Sequence, residues 1–229
     1  MSSLSKRLCL IGKLVPEGAR VCDVGTDHGY LPAALVKSGR AKSVVATDIR
    51  EKPLQNAGKN LERLGVENVR LILGDGLSGV SREEADVVII AGMGAEVIGG
   101  ILSRCDFIKD ESVTLLLQPM TSAEWLRDYL AAEGFALVNE VAVEDADRIY
   151  SVMVARYNGV VRTLSSAERY VGLITAETDD GRRYLEKQYR RCRECEAILR
   201  DRPDEEARLR EFSAAAEGIQ KRLEESHAL

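Results

Sequence analysis

No apolar run in this 229-residue chain approaches the roughly 18 residues that a membrane-crossing helix needs, so no span is expected. The opening stretch MSSLSKRLCLIGKLVP lacks the apolar core and small-residue cleavage site of a secretory leader, and none is expected. Cysteine is scarce. Five residues at irregular spacing fit a reducing compartment better than a disulfide framework, which points to a cytoplasmic protein. An overall basic excess is also missing: 32 Lys and Arg against 37 Asp and Glu give a net charge of −5. That argues against a general nucleic-acid binder, whose footprint is basic. The charge is uneven, however. Between residues 181 and 193 stand Arg182, Arg183, Lys187, Arg190, Arg191 and Arg193 against the single acid Glu186. Local sign governs the steering of a polyanion more than the total does.

What is present is alternation. Residues 4–15 carry apolar side chains at roughly helical spacing, stopped by Pro16 and Gly18. Strand-like runs follow at 20–24, 42–47, 68–73, 86–90 and 113–117, with helical segments at 30–38, 52–64, 95–102 and 121–133. Runs rich in Val, Ile and Leu predict a parallel sheet covered on both faces. Thr121 or Ser122 is the expected N-cap of the helix that Gly134 closes. Two further runs, 135–143 and 149–157, are separated only by EDADR, so the sheet should end in an antiparallel hairpin. After Tyr157 the composition changes. NGVVRTLSS reads as a linker, and Pro203 divides the charged remainder into helices at 180–201 and 204–225. Leu185, Tyr189, Cys192 and Leu199 form a stripe that can face Leu209, Phe212, Ile219 and Leu223. That predicts an antiparallel helix pair, serving either as a dimerising appendage or as a phosphate-contacting surface. The expected units are residues 1–160 and 161–229.

The first strand ends in CDVGTDHGYLP, which lacks the G-x-G-x-x-G of dinucleotide-binding turns. Asp27 stands where the middle glycine would let a pyrophosphate approach, and a carboxylate there repels phosphate. An acid-rich turn suits a cofactor with a sulfonium and no phosphate, and S-adenosyl-L-methionine fits. Asp48, 25 residues after Asp23, is placed to accept ribose hydroxyls, with Ile49 beside it. Asp75 and Gly76, in GDG after the third strand, suit the adenine side. A single acid at a strand end is usually a turn-former or cap, but three at successive ends point to a cofactor site.

After the fourth strand comes AGMG, without the Asn/Asp-Pro-Pro-aromatic group that holds an exocyclic amine. An endocyclic ring nitrogen has an in-plane lone pair and needs positioning, desolvation and stabilisation of the positive charge that develops on alkylation. Asp27 can supply that stabilisation. His28 can be its hydrogen-bonding partner or a pocket wall, and both can instead bond locally within the turn. Gln118 and Pro119 end the fifth strand where a substrate can sit, although Gln118 can also cap the next helix. The pair Cys192 and Cys195 has no second pair to complete a zinc site, so no metal is expected.

At LSKRL, VPEGARVCDVGTDHGYLP, GDGL, IIAGMG, LLLQP and DRIYSVMVARY the chain resembles the bacterial TrmK family. These are tRNA methyltransferases that modify N1 of the adenine at position 22 with S-adenosyl-L-methionine. The resemblance covers about residues 3–157. It implies a class I methyltransferase, Rossmann-like and doubly wound, with a C-terminal coiled-coil-like helical domain. Separately, a monomer or weak homodimer is expected. Carried over, Asp23, Gly25 and His28 belong to the cofactor and active-site loop and Asp27 to the catalytic position. Asp48 takes the ribose place, Asp75 and Gly76 the adenine side, and Gly92, Met93 and Gly94 the methionine end. Arg182, Arg183, Lys187, Arg190 and Arg191 become candidate tRNA contacts. Two positions depart from the family pattern: Gly29, and Met120 where Asn is common. Two other readings remain open, a small-molecule methyltransferase with a dimerisation arm and a non-catalytic RNA- or protein-binding module.

Overall fold

The computed structural model describes residues 4–225; residues 1–3 and 226–229, the outer ends of the two expected units, lie outside the described residues. Helix α1 (Lys6–Leu14) leads into strand β1 (Ala19–Val24). Then α2 (Tyr30–Lys37), β2 (Ala41–Asp48), α3 (Glu51–Arg63), β3 (Val69–Leu73), β4 (Val87–Met93), α4 (Ala95–Leu102), β5 (Thr114–Pro119) and α5 (Ala123–Ala132) alternate. The strands β6 (Phe135–Asp145) and β7 (Arg148–Tyr157) close the sheet. Its order is β3-β2-β1-β4-β5-β7-β6. The first five strands pair in parallel, and β7 runs antiparallel to both β5 and β6.

Successive residues of a strand point to opposite faces, and both faces here are apolar. Val88 and Ile90 of β4 pack with Ile98 of α4 and Leu126 and Leu130 of α5. Val87 and Ile89 pack with Ile11 of α1 and Leu31 and Leu35 of α2 on the other side. The order reverses between β1 and β4, so the crevice outside their carboxyl ends is where a ligand would lie in such a sheet. Because Leu117 pairs with Met153, the end of β6 and the start of β7 run past that same edge. The two-residue turn at the tip has Ala146 and Asp147 at φ 49° and 61°. This is the pair of left-handed residues that a tight hairpin needs.

Three local expectations are revised. Strand β4 continues through Gly92 and Met93, and β5 through Gln118 and Pro119, beyond the apolar runs 86–90 and 113–117. Ser122 does occupy the N-cap of α5, but at φ 54° and without a side-chain cap bond. The linker delivers an additional short helix, α6 (Ser166–Val171), started by a capping box between Ser165 and Glu168.

Helices α7 (Asp179–Leu199) and α8 (Glu206–Glu225) form the expected pair. Leu185, Cys192, Leu199, Phe212 and Ile219 are buried in one cluster, with Tyr189, Leu209 and Leu223 packed against it. That cluster also includes Ala142 of β6 and is flanked by Ile149 of β7, so the helices sit on the hairpin. A buried ion pair lies at this junction. Arg127 of α5 and Glu140 of β6 meet at 2.6 Å, with neither side chain exposed. Arg127 also donates to the carbonyls of Arg169 and Tyr170 at 3.0 Å each and to the Tyr184 hydroxyl at 2.9 Å. Glu140 accepts the Leu173 backbone N–H at 3.0 Å. One pair thus joins α5, β6, α6 and α7, and the hydrogen bonds offset the desolvation that burying two charges entails.

Candidate active site

The turn after β1 is clamped to the end of β2. The N–H groups of Gly25 and Thr26 donate to the Thr47 carbonyl at 2.8 and 3.0 Å. The Asp27 N–H donates to Asp48 Oδ2 at 3.2 Å, and Arg50 N–H donates to Asp48 Oδ1 at 2.9 Å. Asp48 is buried, and each of its oxygens accepts one backbone N–H and retains capacity to accept another bond. Gly25 has φ 76°, and a Cβ there would fall 2.3 Å from the Met93 methyl. Glycine takes this left-handed conformation without strain, whereas a larger residue would also displace the end of the Met93 side chain.

The clamp explains how two candidate side chains follow one another at the cavity. Asp27, at φ 52°, turns the chain before Gly29 starts α2. Its carboxylate is more than half exposed, with Oδ2 3.6 Å from His28 Nε2 and Oδ1 3.9 Å from Arg50 Nη2. The His28 ring lies 5.8 Å from that of Tyr30. A carboxylate facing solvent across a rigid turn, with a histidine and an arginine beside it, is available to an incoming group.

Asp23, Gly25, Asp27, His28, Asp48, Ile49, Asp75, Gly76, Gly92 and Met93 all line one cavity of about 530 Å³. Burial pushes the Asp23 carboxyl up to about 6; the Thr26 hydroxyl opposes the shift and the nearby Asp48 adds to it. Asp75 is exposed and pairs with Arg104 at 3.0 Å. Ile49 and Val97 present exposed apolar surface at the rim. These features suit an adenosine-bearing cation: carboxylates for hydroxyls and amines, apolar edges for a base, and a floor without Cβ atoms at Gly25 and Gly92.

Three expected residues lie outside the lining. Gly94 is the N-cap of α4. Pro119 is buried in β5 opposite Met93. Gln118 has no exposed surface: its Oε1 accepts from Gly92 N–H at 3.0 Å and from Arg7, and its Nε2 donates to the Pro119 carbonyl at 2.8 Å. The strand carries Gln118 inward, so it braces the Gly92 backbone rather than meeting a substrate.

The expected basic set on α7 divides. Arg183, Lys187 and Arg190 share a groove with Arg148 from the hairpin tip, with Glu144, Asp147 and Glu186 also in its lining. Arg183 is ion-paired to Glu144. Arg191 points elsewhere: it pairs with Glu124 of α5 at 2.7 Å and covers the Tyr170 ring. Arg182 is only partly exposed. No group of three or more candidate metal ligands occurs among the described residues.

Sequence reasoning missed Arg7. It lines the cavity from α1, donates to Gln118 and to Met120 Sδ at 3.6 Å, and lies over Tyr150 at 5.6 Å. Its partners stand more than a hundred residues away in sequence, so no local pattern marks them.

A profile of the family described as a methyltransferase domain matches residues 4–153. The tRNA (adenine(22)-N(1))-methyltransferase of Bacillus subtilis (strain 168) is 36% identical over 153 residues, 66% of this chain and 64% of that protein. The aligned segment thus spans just under two thirds of that relative. The crystal structure of the B. subtilis m1A22 tRNA methyltransferase TrmK superposes with a TM-score of 0.80 at 28% identity, covering 96% of this chain and 99% of that one. Streptococcus pneumoniae Sp1610, solved in complex with S-adenosyl-L-methionine, gives 0.78 at 30% identity, covering 93% and 99%. With the profile spanning more than half of the chain and a 30% identical relative covered almost end to end, the chain belongs to the TrmK family of class I methyltransferases.

Proposed function

We propose that the protein transfers a methyl group from S-adenosyl-L-methionine to N1 of an adenine in tRNA, at position 22. The observation that carries the reading is the cavity at the carboxyl edge, where Asp23, Asp48 and Asp75 line a floor free of Cβ atoms at Gly25 and Gly92. Bound there, the cofactor supplies an electrophilic methyl group on a sulfonium. Asp48 and Asp75 would hold the adenosine, and Asp23 the charged methionine end. Neutral adenine presents its N1 lone pair in the ring plane, so no proton need leave before attack. The positive charge that arrives on the ring is what requires stabilisation, and Asp27 at the cavity mouth is the carboxylate placed to give it. His28 would orient Asp27 and wall the base. Because N1 is engaged in pairing within folded RNA, the adenine must swing out to enter.

We divide the work between residues 1–160, which hold cofactor and base, and residues 161–229, which grip the RNA. The groove of Arg148, Arg183, Lys187 and Arg190 opens on the side of the sheet past which the hairpin projects, and it supplies cations for phosphates. Labelled S-adenosyl-L-methionine and unmodified bacterial tRNA test the reading. Digestion should yield 1-methyladenosine, and an A22→G transcript should not be labelled. Absence of labelled RNA while the cofactor still binds would shift the substrate to a smaller molecule.

A further inference from the structure

Arg7 is the cation in the wall of the cavity next to Gly92, where a Cβ would lie 3.3 Å from its Nη1. Its surroundings are unusual for a structural arginine. Gln118, Met120 and Tyr150 are neutral, and the one acid paired with it among the described residues is Asp145. That pair is loose. Arg7 Nε stands 3.6 Å from Asp145 Oδ2, beyond hydrogen-bond length, and this Nε is buried with no hydrogen-bond partner. Buried donors are normally satisfied, and a guanidinium recognises carboxylate and phosphate with two parallel bonds when the geometry allows. Here it makes neither with Asp145. The side chains are 18% and 16% exposed, so part of the pair meets solvent although the Nε itself does not.

Position adds a second argument. Asp145 is the last residue of β6, and Arg148, just across the turn, lines the basic groove with Arg183, Lys187 and Arg190. The hairpin tip thus carries Arg148 in the groove and, paired with it across the turn, Asp145, which holds Arg7. We propose that Arg7 is the phosphodiester grip for the target nucleotide: it releases Asp145 and takes a non-bridging oxygen of the phosphate beside the base that enters the cavity. Asp145 is then a placeholder that keeps the guanidinium aimed while no RNA is bound. The inference rests on the tRNA reading above and names a contact within it.

The test measures affinity for an unmodified tRNA transcript as a function of salt, with cofactor affinity titrated in parallel. Arg7→Met should weaken tRNA binding about tenfold and lower the slope of log K against log salt by about 1. Arg7→Lys, which keeps the charge, should restore the slope. Asp145→Asn is the discriminating variant. Removing the placeholder should tighten tRNA binding, whereas a merely structural pair would leave it equal or weaker. An unchanged salt slope in Arg7→Met, unchanged or weaker binding in Asp145→Asn, or an equal loss of cofactor affinity in Arg7→Met overturns the proposal. If the wild-type protein neither binds nor methylates tRNA, the functional reading fails instead, and that control is run first.

Discussion

At the scale of single residues the proposed chemistry rests mainly on the turn after β1. Asp27→Asn keeps the shape and removes the charge that would meet the methylated ring. Methyl transfer should fall about a hundredfold or more, the range seen when an electrostatic partner is lost, while cofactor affinity changes little; single-turnover rates with saturating cofactor read this directly. Asp23 gives a pH signature. Burial holds its carboxyl near 6 in the free protein, above the unfolded range. Its contribution to stability is therefore full below the ordinary carboxylate range and is lost as pH rises through about 6. A cationic ligand prefers the ionised form, so cofactor affinity should climb between pH 5 and 7 and then level off. Calorimetric titration across that range should show the rise, and Asp23→Asn should abolish it. The acids of this turn were legible in the sequence because they interrupt glycines at a strand end. The inward turn of Gln118 was not legible, because only its pairing with β4 shows which face the end of the strand presents.

At the scale of elements, the alternation of strands and helices and the closing hairpin could be read from apolar runs and turn residues. From Ala167 onward the chain reads as charged and helical, but α6 was not legible as a separate helix, because six residues are too few to display a period, although Ser165 and Glu168 marked its start. The Arg127–Glu140 pair was equally invisible. The two residues are thirteen apart on different elements, and nothing local distinguishes a buried arginine from one on a solvated helix face. The pair makes a sharp prediction. Arg127→Met leaves Glu140 buried and uncompensated, and should cost about 3–5 kcal/mol in chemical denaturation. Replacing both with methionine should recover much of that loss, since two apolar side chains leave no stranded charge, though the carbonyls of Arg169 and Tyr170 would still lack their donor.

For the whole molecule, a net charge of −5 hid a local basic track, and only the fold sorted its members. Lys187→Glu with Arg190→Glu should weaken tRNA binding at least tenfold at physiological salt and leave cofactor affinity unchanged, read by filter binding and calorimetry. Arg191→Glu should behave differently, because it confronts Glu124 and loosens α7 from α5. Its effect should appear in thermal stability before it appears in RNA affinity.

The ion pair beneath the helices has one more consequence. Arg127 and Glu140 tie α6 and α7 to the sheet, so the groove on α7 and the cavity behind Asp27 share one framework. An RNA held in the groove can present to the cavity only the nucleotide lying at the span between them along its folded surface. The enzyme would thus act as a caliper, choosing its adenine by measured distance on a rigid substrate and leaving the identity of neighbouring bases largely unread.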